Sequence, residues 1–173
     1  MLSSVLTKEK CSKCRNCCVF FSSSRWEMPS VTKETADKIC EFLKSDDAVA
    51  MRDGVYKLNS VLRDNIKNNS EEYKCPALDE NSGCTLPDEL KPIECSMWPL
   101  RVMNDNGRIF IALAGGCNAV DNAFTESINK LLESGLAKDI IILTKKHNDM
   151  IRKYDKSYLK LKDITKEIQT DEQ

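Results

Sequence analysis

The stretch Arg101-Val102-Met103-Asn104-Asp105-Asn106-Gly107-Arg108-Ile109-Phe110-Ile111-Ala112-Leu113 reads as a β-hairpin. Asn-Gly is the dipeptide that tolerates the positive φ values of a tight two-residue turn, and apolar runs flank it on both sides. Asp53-Gly54 gives the same signal between Ala48-Val49-Ala50-Met51 and Val55-Tyr56-Lys57-Leu58. Beyond the 101–113 hairpin, Val120 to Ser134 spaces Phe124, Ile128, Leu131 and Leu132 along one helical face and meets a stop at Gly135. A second helix is expected from about Ala137 to about Lys162, carrying Ile140, Ile141, Thr144, Met150, Ile151, Tyr154, Tyr158 and Leu161, with residues 163–173 frayed. Upstream, Thr32 to Lys44 places Ala36, Ile39, Cys40 and Leu43 at i, i+3, i+4 and i+7, with Ser30 or Thr32 as cap.

Charge narrows the function. In 173 residues, 26 Lys plus Arg stand against 27 Asp plus Glu, a net charge of −1. A nucleic-acid groove would show a basic excess or stripe, and neither is present. The longest apolar run, Ile109 to Ala114, is far short of the ~18 residues that span a bilayer. The first ten residues lack the basic start and apolar run of a secretory signal. Nucleic acid and membrane are therefore not expected as partners, and the expected location is the cytoplasm. There thiols stay reduced, and a cysteine pattern points to metal or catalysis rather than to disulfides.

That pattern is the main anomaly: nine Cys against a single His, His147. Cys11, Cys14, Cys17 and Cys18 form C-x-x-C-x-x-C-C, Cys75, Cys84, Cys95 and Cys117 follow over a longer stretch, and Cys40 stands alone. On its helical stripe Cys40 reads as a small core hydrophobe. The first four do not. Neighbours at 17 and 18 point apart in regular structure, and Ser12, Lys13, Arg15 and Asn16 between the thiols are polar. A C-x-x-C turn instead lets two sulfurs reach one metal ion. The second four sit in a proline-studded segment, with Pro76, Pro87, Pro92 and Pro99 close to Cys75, Cys84 and Cys95, so they read as its cross-links. Gly115-Gly116 before Cys117 would let backbone approach a bulky group. His147 has no ligand partner at suitable spacing and reads as a half-buried or solvent-edge residue. Trp98 reads as packing that shields the site beside Cys95.

These residues define the expected fold class, α+β: a small single domain over 1–173, with a loop-rich cysteine metal-binding core at 11–117, one or two short β-hairpins, a helical part at 120–162 and a frayed tail. The expected metal ligands are Cys11, Cys14, Cys17, Cys18, Cys75, Cys84, Cys95 and Cys117. Zinc and iron–sulfur both accept four thiolates. Structural zinc sites draw on a second short-spaced pair about 15–20 residues on, whereas C-x-x-C-x-x-C with a distant Cys before proline is closer to a ferredoxin loop. That favours iron–sulfur, of the 4Fe-4S type, over zinc. Cys17 and Cys18 are expected to serve different metals.

Cys11-x-x-Cys14-x-x-Cys17-Cys18, Cys75-Pro76-x-Leu78, Gly83-Cys84, Lys91-Pro92-x-x-Cys95-x-x-Trp98-Pro99 and Cys117 together resemble the YkgJ-type cysteine-cluster family, described as a zinc- or iron-chelating domain. The resemblance covers about residues 11–117. That pattern usually carries Gly after the second Cys, and an Arg-Pro-x-x-Cys-Arg-x-Phe-Pro run. Here Arg15, Lys91, Ser96 and Trp98 take those places, with every thiol kept. Longer relatives are flagellin lysine N-methylases, for which the resemblance implies an iron–sulfur centre and S-adenosylmethionine. The chain shows no glycine-rich nucleoside fingerprint. A structural, chelating or electron-transfer metal protein, with metal ions and an unidentified protein as partners, is therefore the leading expectation. A cluster-dependent protein lysine methyltransferase is the alternative, and a disulfide-stabilised secreted domain comes after it.

Overall fold

The computed structural model describes residues 14–62, 71–117 and 120–170. The chain divides into two compact units, Lys8–Ser96 and Met97–Gln173, so the boundary falls inside the 11–117 cysteine stretch. The architecture is α+β, as the sequence leads one to expect.

The N-terminal unit is built from small antiparallel sheets and one helix. Strands β1 (Val19–Phe21), β5 (Val61–Leu62) and β6 (Glu72–Lys74) form one sheet in the order β1-β6-β5. Strands β2 (Ser30–Val31), β3 (Val49–Arg52) and β4 (Val55–Leu58) form another, β2-β4-β3. Its β3–β4 hairpin is the Asp53-Gly54 turn, with φ of 52° and 78°, both positive as a type I′ turn demands. A two-stranded ribbon joins β7 (Leu78–Asp79) to β8 (Gly83–Cys84). Helix α1 (Lys33–Leu43) starts where Thr32 Oγ1 accepts the Thr35 N–H at 3.2 Å and ends at Lys44 in the left-handed region. Its stripe buries Ala36 and Ile39 fully, while Cys40 is half-buried against the same core. That core joins Phe20, Met28, Ile39 and Leu58 to Cys75, Ala77, Leu78 and Leu86. The proline-rich segment thus supplies apolar residues to the core, which its turn-forming composition conceals.

A buried carboxylate closes this unit. Glu94, in the short helix α2 (Ile93–Met97), is 2% exposed and accepts the Ser30 N–H at 2.6 Å and the Ser30 O–H at 3.0 Å. Replacing Glu94 by Ala strands a buried strand N–H, so a loss of about 3 kcal/mol in urea unfolding is expected. Glu94→Gln keeps one acceptor oxygen and should lose less than half of that.

The C-terminal unit centres on the 101–113 hairpin. Strands β9 (Leu100–Asp105) and β10 (Arg108–Ala114) pair antiparallel through Asn106-Gly107, at φ 52° and 89°. Strand β10 is buried from Ile109 to Ala114, on both faces. The sheet order is β11-β9-β10-β12, with β11 (Arg152–Lys153) and β12 (Tyr158–Asp163) at the edges. Helix α3 (Asn122–Leu131) is capped by the Asp121 carboxylate, which accepts the Phe124 N–H at 2.7 Å. The helical path then breaks at Gly135, φ 129°, and resumes as α4 (Ala137–Lys146). Phe124, Ile128, Leu132, Leu136 and Ile140 form the buried stripe.

The long second helix is corrected here. It ends at Lys146, with the His147 N–H bonded to the Leu143 and Thr144 carbonyls. Residues 158–163 form β12, paired with β10 through a bulge at Ile111/Ala112. From Leu159 to Lys162 apolar and charged residues alternate with period two, which suits a strand, and the backbone groups of the segment complete the β10 ladder. Lys160 and Lys162 also guard that edge from further pairing. The tail is more ordered than expected: Ile164 is fully buried, and Thr165–Gln169 forms helix α5. Asp163 anchors it. Its carboxyl is held down at about 2, first by the Thr165 hydroxyl and N–H and then by Arg108 at 2.6 Å.

Candidate functional site

Cys17, Cys18, Cys75 and Cys84 of the N-terminal unit sit where the cysteine turn meets the apolar core. Cys17 and Cys18 end a 3-10 turn, Asn16–Cys18, and Val19 continues as β1. Because the chain changes from turn to strand at this point, the two side chains do not diverge as they would within one regular element. Their Sγ atoms lie 3.7 Å apart. Two sulfurs bound at about 2.3 Å to one tetrahedral ion are about 3.8 Å apart. The expected separation of the pair onto different metals is therefore not imposed by geometry.

Cys75 meets this turn directly, its N–H donating to the Cys18 carbonyl at 2.8 Å just past the end of the β1–β6 ladder. Cys84 lies on β8 opposite Leu78. Cys18 and Cys84 both pack against the cluster that contains Cys75. Burial pushes the Cys75 thiol up to about 12, with the Cys84 sulfur adding to the rise and the Ala77 N–H working against it. Left as it is, Cys75 stays protonated, and a thiol of that kind is chemically inert.

An ion pair ties the cysteine turn to the β7–β8 ribbon. Arg15 Nη1 is 3.3 Å from Glu80 Oε2. Glu80 sits in a turn organised by Asp79, whose carboxylate accepts the N–H and O–H of Ser82 and the N–H of Asn81 and is thereby held below its usual range. Sequence reasoning passed over this partner, although Asp79-Glu80-Asn81-Ser82-Gly83 is a run of turn formers. Arg15 itself adopts φ 54°, ψ 4°, left-handed backbone that favours glycine. This is the position at which the cysteine-cluster pattern carries Gly. Arg15→Gly should relieve about 1 kcal/mol of backbone cost while losing a half-exposed ion pair worth about as much. We expect it to unfold within about 1 kcal/mol of the parent, and Arg15→Ala, which keeps the strain and loses the pair, to fall below the Gly variant by about 1 kcal/mol. Equal stabilities of the two variants in urea would contradict this account.

The remaining expected ligands are placed as follows. Cys11 lies outside the described residues. Cys14 is half-buried and Cys95 is exposed on α2. Cys117 is buried in the C-terminal unit, its N–H directed at the Ala114 carbonyl. Of the two glycines before it, Gly115 does serve a close approach, but to backbone. Gly115 donates to the Ser157 carbonyl at 3.1 Å, and a Cβ there would stand 2.9 Å from that oxygen. Trp98 is buried, its ring under the Arg101 guanidinium at 5.4 Å. His147 is half-buried at the end of α4. No disulfide joins the described cysteines. Among the described residues, no group of three or more His, Cys, Asp or Glu side chains stands ready to hold a metal ion. No helix among them is long and apolar enough to cross a membrane.

The chain is thus a cysteine-rich α+β protein, with most of its described thiols in one of its two units. No protein-family model, curated protein or solved structure matches it.

Proposed function

We propose that this chain is a metal-binding cysteine-cluster protein of the YkgJ type, holding an iron–sulfur cluster or zinc through thiolates of its N-terminal unit. One observation carries the reading: Cys75, 57 residues beyond Cys18 in the chain, packs at the Cys17-Cys18 turn beside Cys84. Neutral, the Cys75 thiol is an ordinary core residue, and what favours a metal is its place at the end of the C-x-x-C-x-x-C-C turn with Cys84 close enough to raise its proton affinity. A bound metal removes the thiol protons outright.

The donor set suits the assignment. Cys17 and Cys18 offer two sulfurs at the spacing of a shared ion, and Cys75 and Cys84 belong to the core on which Cys18 packs, from which a rearrangement on loading would have to bring them. Cys14 and Cys11 extend the same turn in sequence. The left-handed Arg15 between Cys14 and Cys17 supports the likeness to the cysteine-cluster pattern, since it retains the backbone for which glycine is used there. When bound, the metal would supply either a fixed cross-link or a one-electron carrier. A role in the cytoplasm belongs to the same proposal.

Anaerobic purification followed by metal and acid-labile sulfide analysis tests it. Iron with matching sulfide, or stoichiometric zinc, is expected, together with loss of that content in Cys18→Ser and Cys75→Ser and its retention in Cys40→Ser. Metal-free protein obtained without exposure to air or chelator would overturn the reading.

A further inference from the structure

The turn that joins β9 to β10 carries a reaction of its own. Asn106-Gly107 is the only Asn-Gly pair in the chain, and a glycine, having no side chain, lets its backbone nitrogen approach the carboxamide before it. In that reaction the Gly107 nitrogen bonds to Asn106 Cγ. The Cγ–Nδ2 bond breaks, and ammonia departs with the Gly107 amide proton. Water then opens the cyclic imide at one of its two carbonyls, leaving an aspartyl or an isoaspartyl link. Neither step needs an oxidant or a reductant, and water is the only co-reactant.

Access does not prevent it. Asn106 and Gly107 are both exposed, and the space that a Cβ on Gly107 would take has no atom within 4 Å. Hydrogen bonding does restrain it. The Gly107 N–H, which must attack, donates to Asn104 Oδ1 at 2.8 Å. Asn106 Nδ2, which must leave, donates to Asp105 Oδ1 at 3.0 Å. Asp105 in turn is held by Lys160 from β12. The two backbones stand at φ 52° and 89°, fixed by the ladder that pairs Arg108 with Asp105. Attack therefore requires Gly107 to give up its bond to Asn104 and the Asn106 carboxamide to give up its own, while the hairpin holds both in place.

We propose that Asn106 is a site of spontaneous deamidation that the native hairpin keeps silent through Asn104 and that opening of the turn releases. The reaction then follows local opening rather than exposure. Its product is not neutral to the fold. An isoaspartyl link adds a backbone atom to a two-residue turn, and the turn sets the register in which β10 buries Ile109 to Ala114. Each opening that ends in reaction is thus recorded irreversibly in the strand pair on which the C-terminal unit is built.

The test incubates the full, reduced chain at neutral pH, folded or in urea, and maps the conversion of asparagine amide to acid, and isoaspartate, by peptide mass spectrometry. In urea Asn106 should be the first asparagine to convert, and in the folded chain its conversion should be slower by at least about 10-fold. Asn104→Ala, with its circular dichroism unchanged, should speed the folded-state conversion by about 5-fold, the factor carried by one ordinary hydrogen bond. Asn104→Asp keeps an acceptor at that place and should stay close to the parent. Hydrogen–deuterium exchange at the Gly107 amide of the unsubstituted chain reads the same bond without relying on a variant, and slow exchange is expected. Equal rates for Asn106 in the folded and urea-treated chains would overturn the proposal. So would a folded Asn104→Ala that converts at the parental rate, or a Gly107 amide that exchanges as fast as an unprotected one.

Discussion

Stripping the metal is expected to open the N-terminal unit and leave the C-terminal one folded. Structural metal–thiolate binding is worth about 10–16 kcal/mol in small zinc domains at neutral pH, more than the core of this unit can replace. That core is a single cluster in which Cys75 sits beside Leu78 and Leu86, both from the proline-rich segment. Without metal, the segment keeps its short β7–β8 ribbon, the Arg15–Glu80 pair and the Glu94–Ser30 bonds. With a strong chelator under reducing conditions, trypsin should therefore cut first after Lys74, since the bond after Lys91 leads into Pro92 and resists it. The β9–β10–β12 sheet, with Leu100, Ile111 and Leu113 at 0–1% exposure, should persist as a protected fragment with its helical dichroism. Restoring the metal should restore protection. A digest that is identical with and without chelator would remove the metal from any structural role.

The second large effect is expected at Ile111. It is fully buried in the middle of β10, flanked by β9 and β12, so Ile111→Ala removes packed methylenes and leaves a cavity. A loss of about 2–5 kcal/mol is expected, and the thermal midpoint of the C-terminal unit should fall by about 10 °C or more. Ile142→Ala provides the contrast. Ile142 lies on the solvent face of α4, 43% exposed, and alanine is the better helix former, so the change should stay within about 0.5 kcal/mol. Similar losses at the two positions would mean that β10 is not the centre of this core.

Local signals in the residues were enough for much of the framework. Asp53-Gly54 and Asn106-Gly107 specify their hairpins because few other dipeptides accept two positive φ values in a row. The Thr32 cap, the Ile39 stripe and the Gly135 break were equally readable, each being set by contacts within one or two turns. The end of α4 was not, because helical spacing continues on paper through Met150 and Tyr154. The strand 158–163 gains its stability from pairing with β10, a contact about 50 residues away in sequence, and periodicity within one segment carries no record of that.

The same distinction applies to the thiols. The chain's own order of residues determined that nine cysteines occur, that four crowd into C-x-x-C-x-x-C-C, and that Cys40 rides on a helix. Tertiary structure alone decided which thiols share a neighbourhood. Cys75 joins the Cys17–Cys18 turn because it stands just beyond β6, which is laddered to β1, whereas Cys117 is buried in the other unit. Spacing along the chain can bring sulfurs together only within a turn. Over longer separations, the pairing of strands and the burial of side chains determine which sulfurs meet.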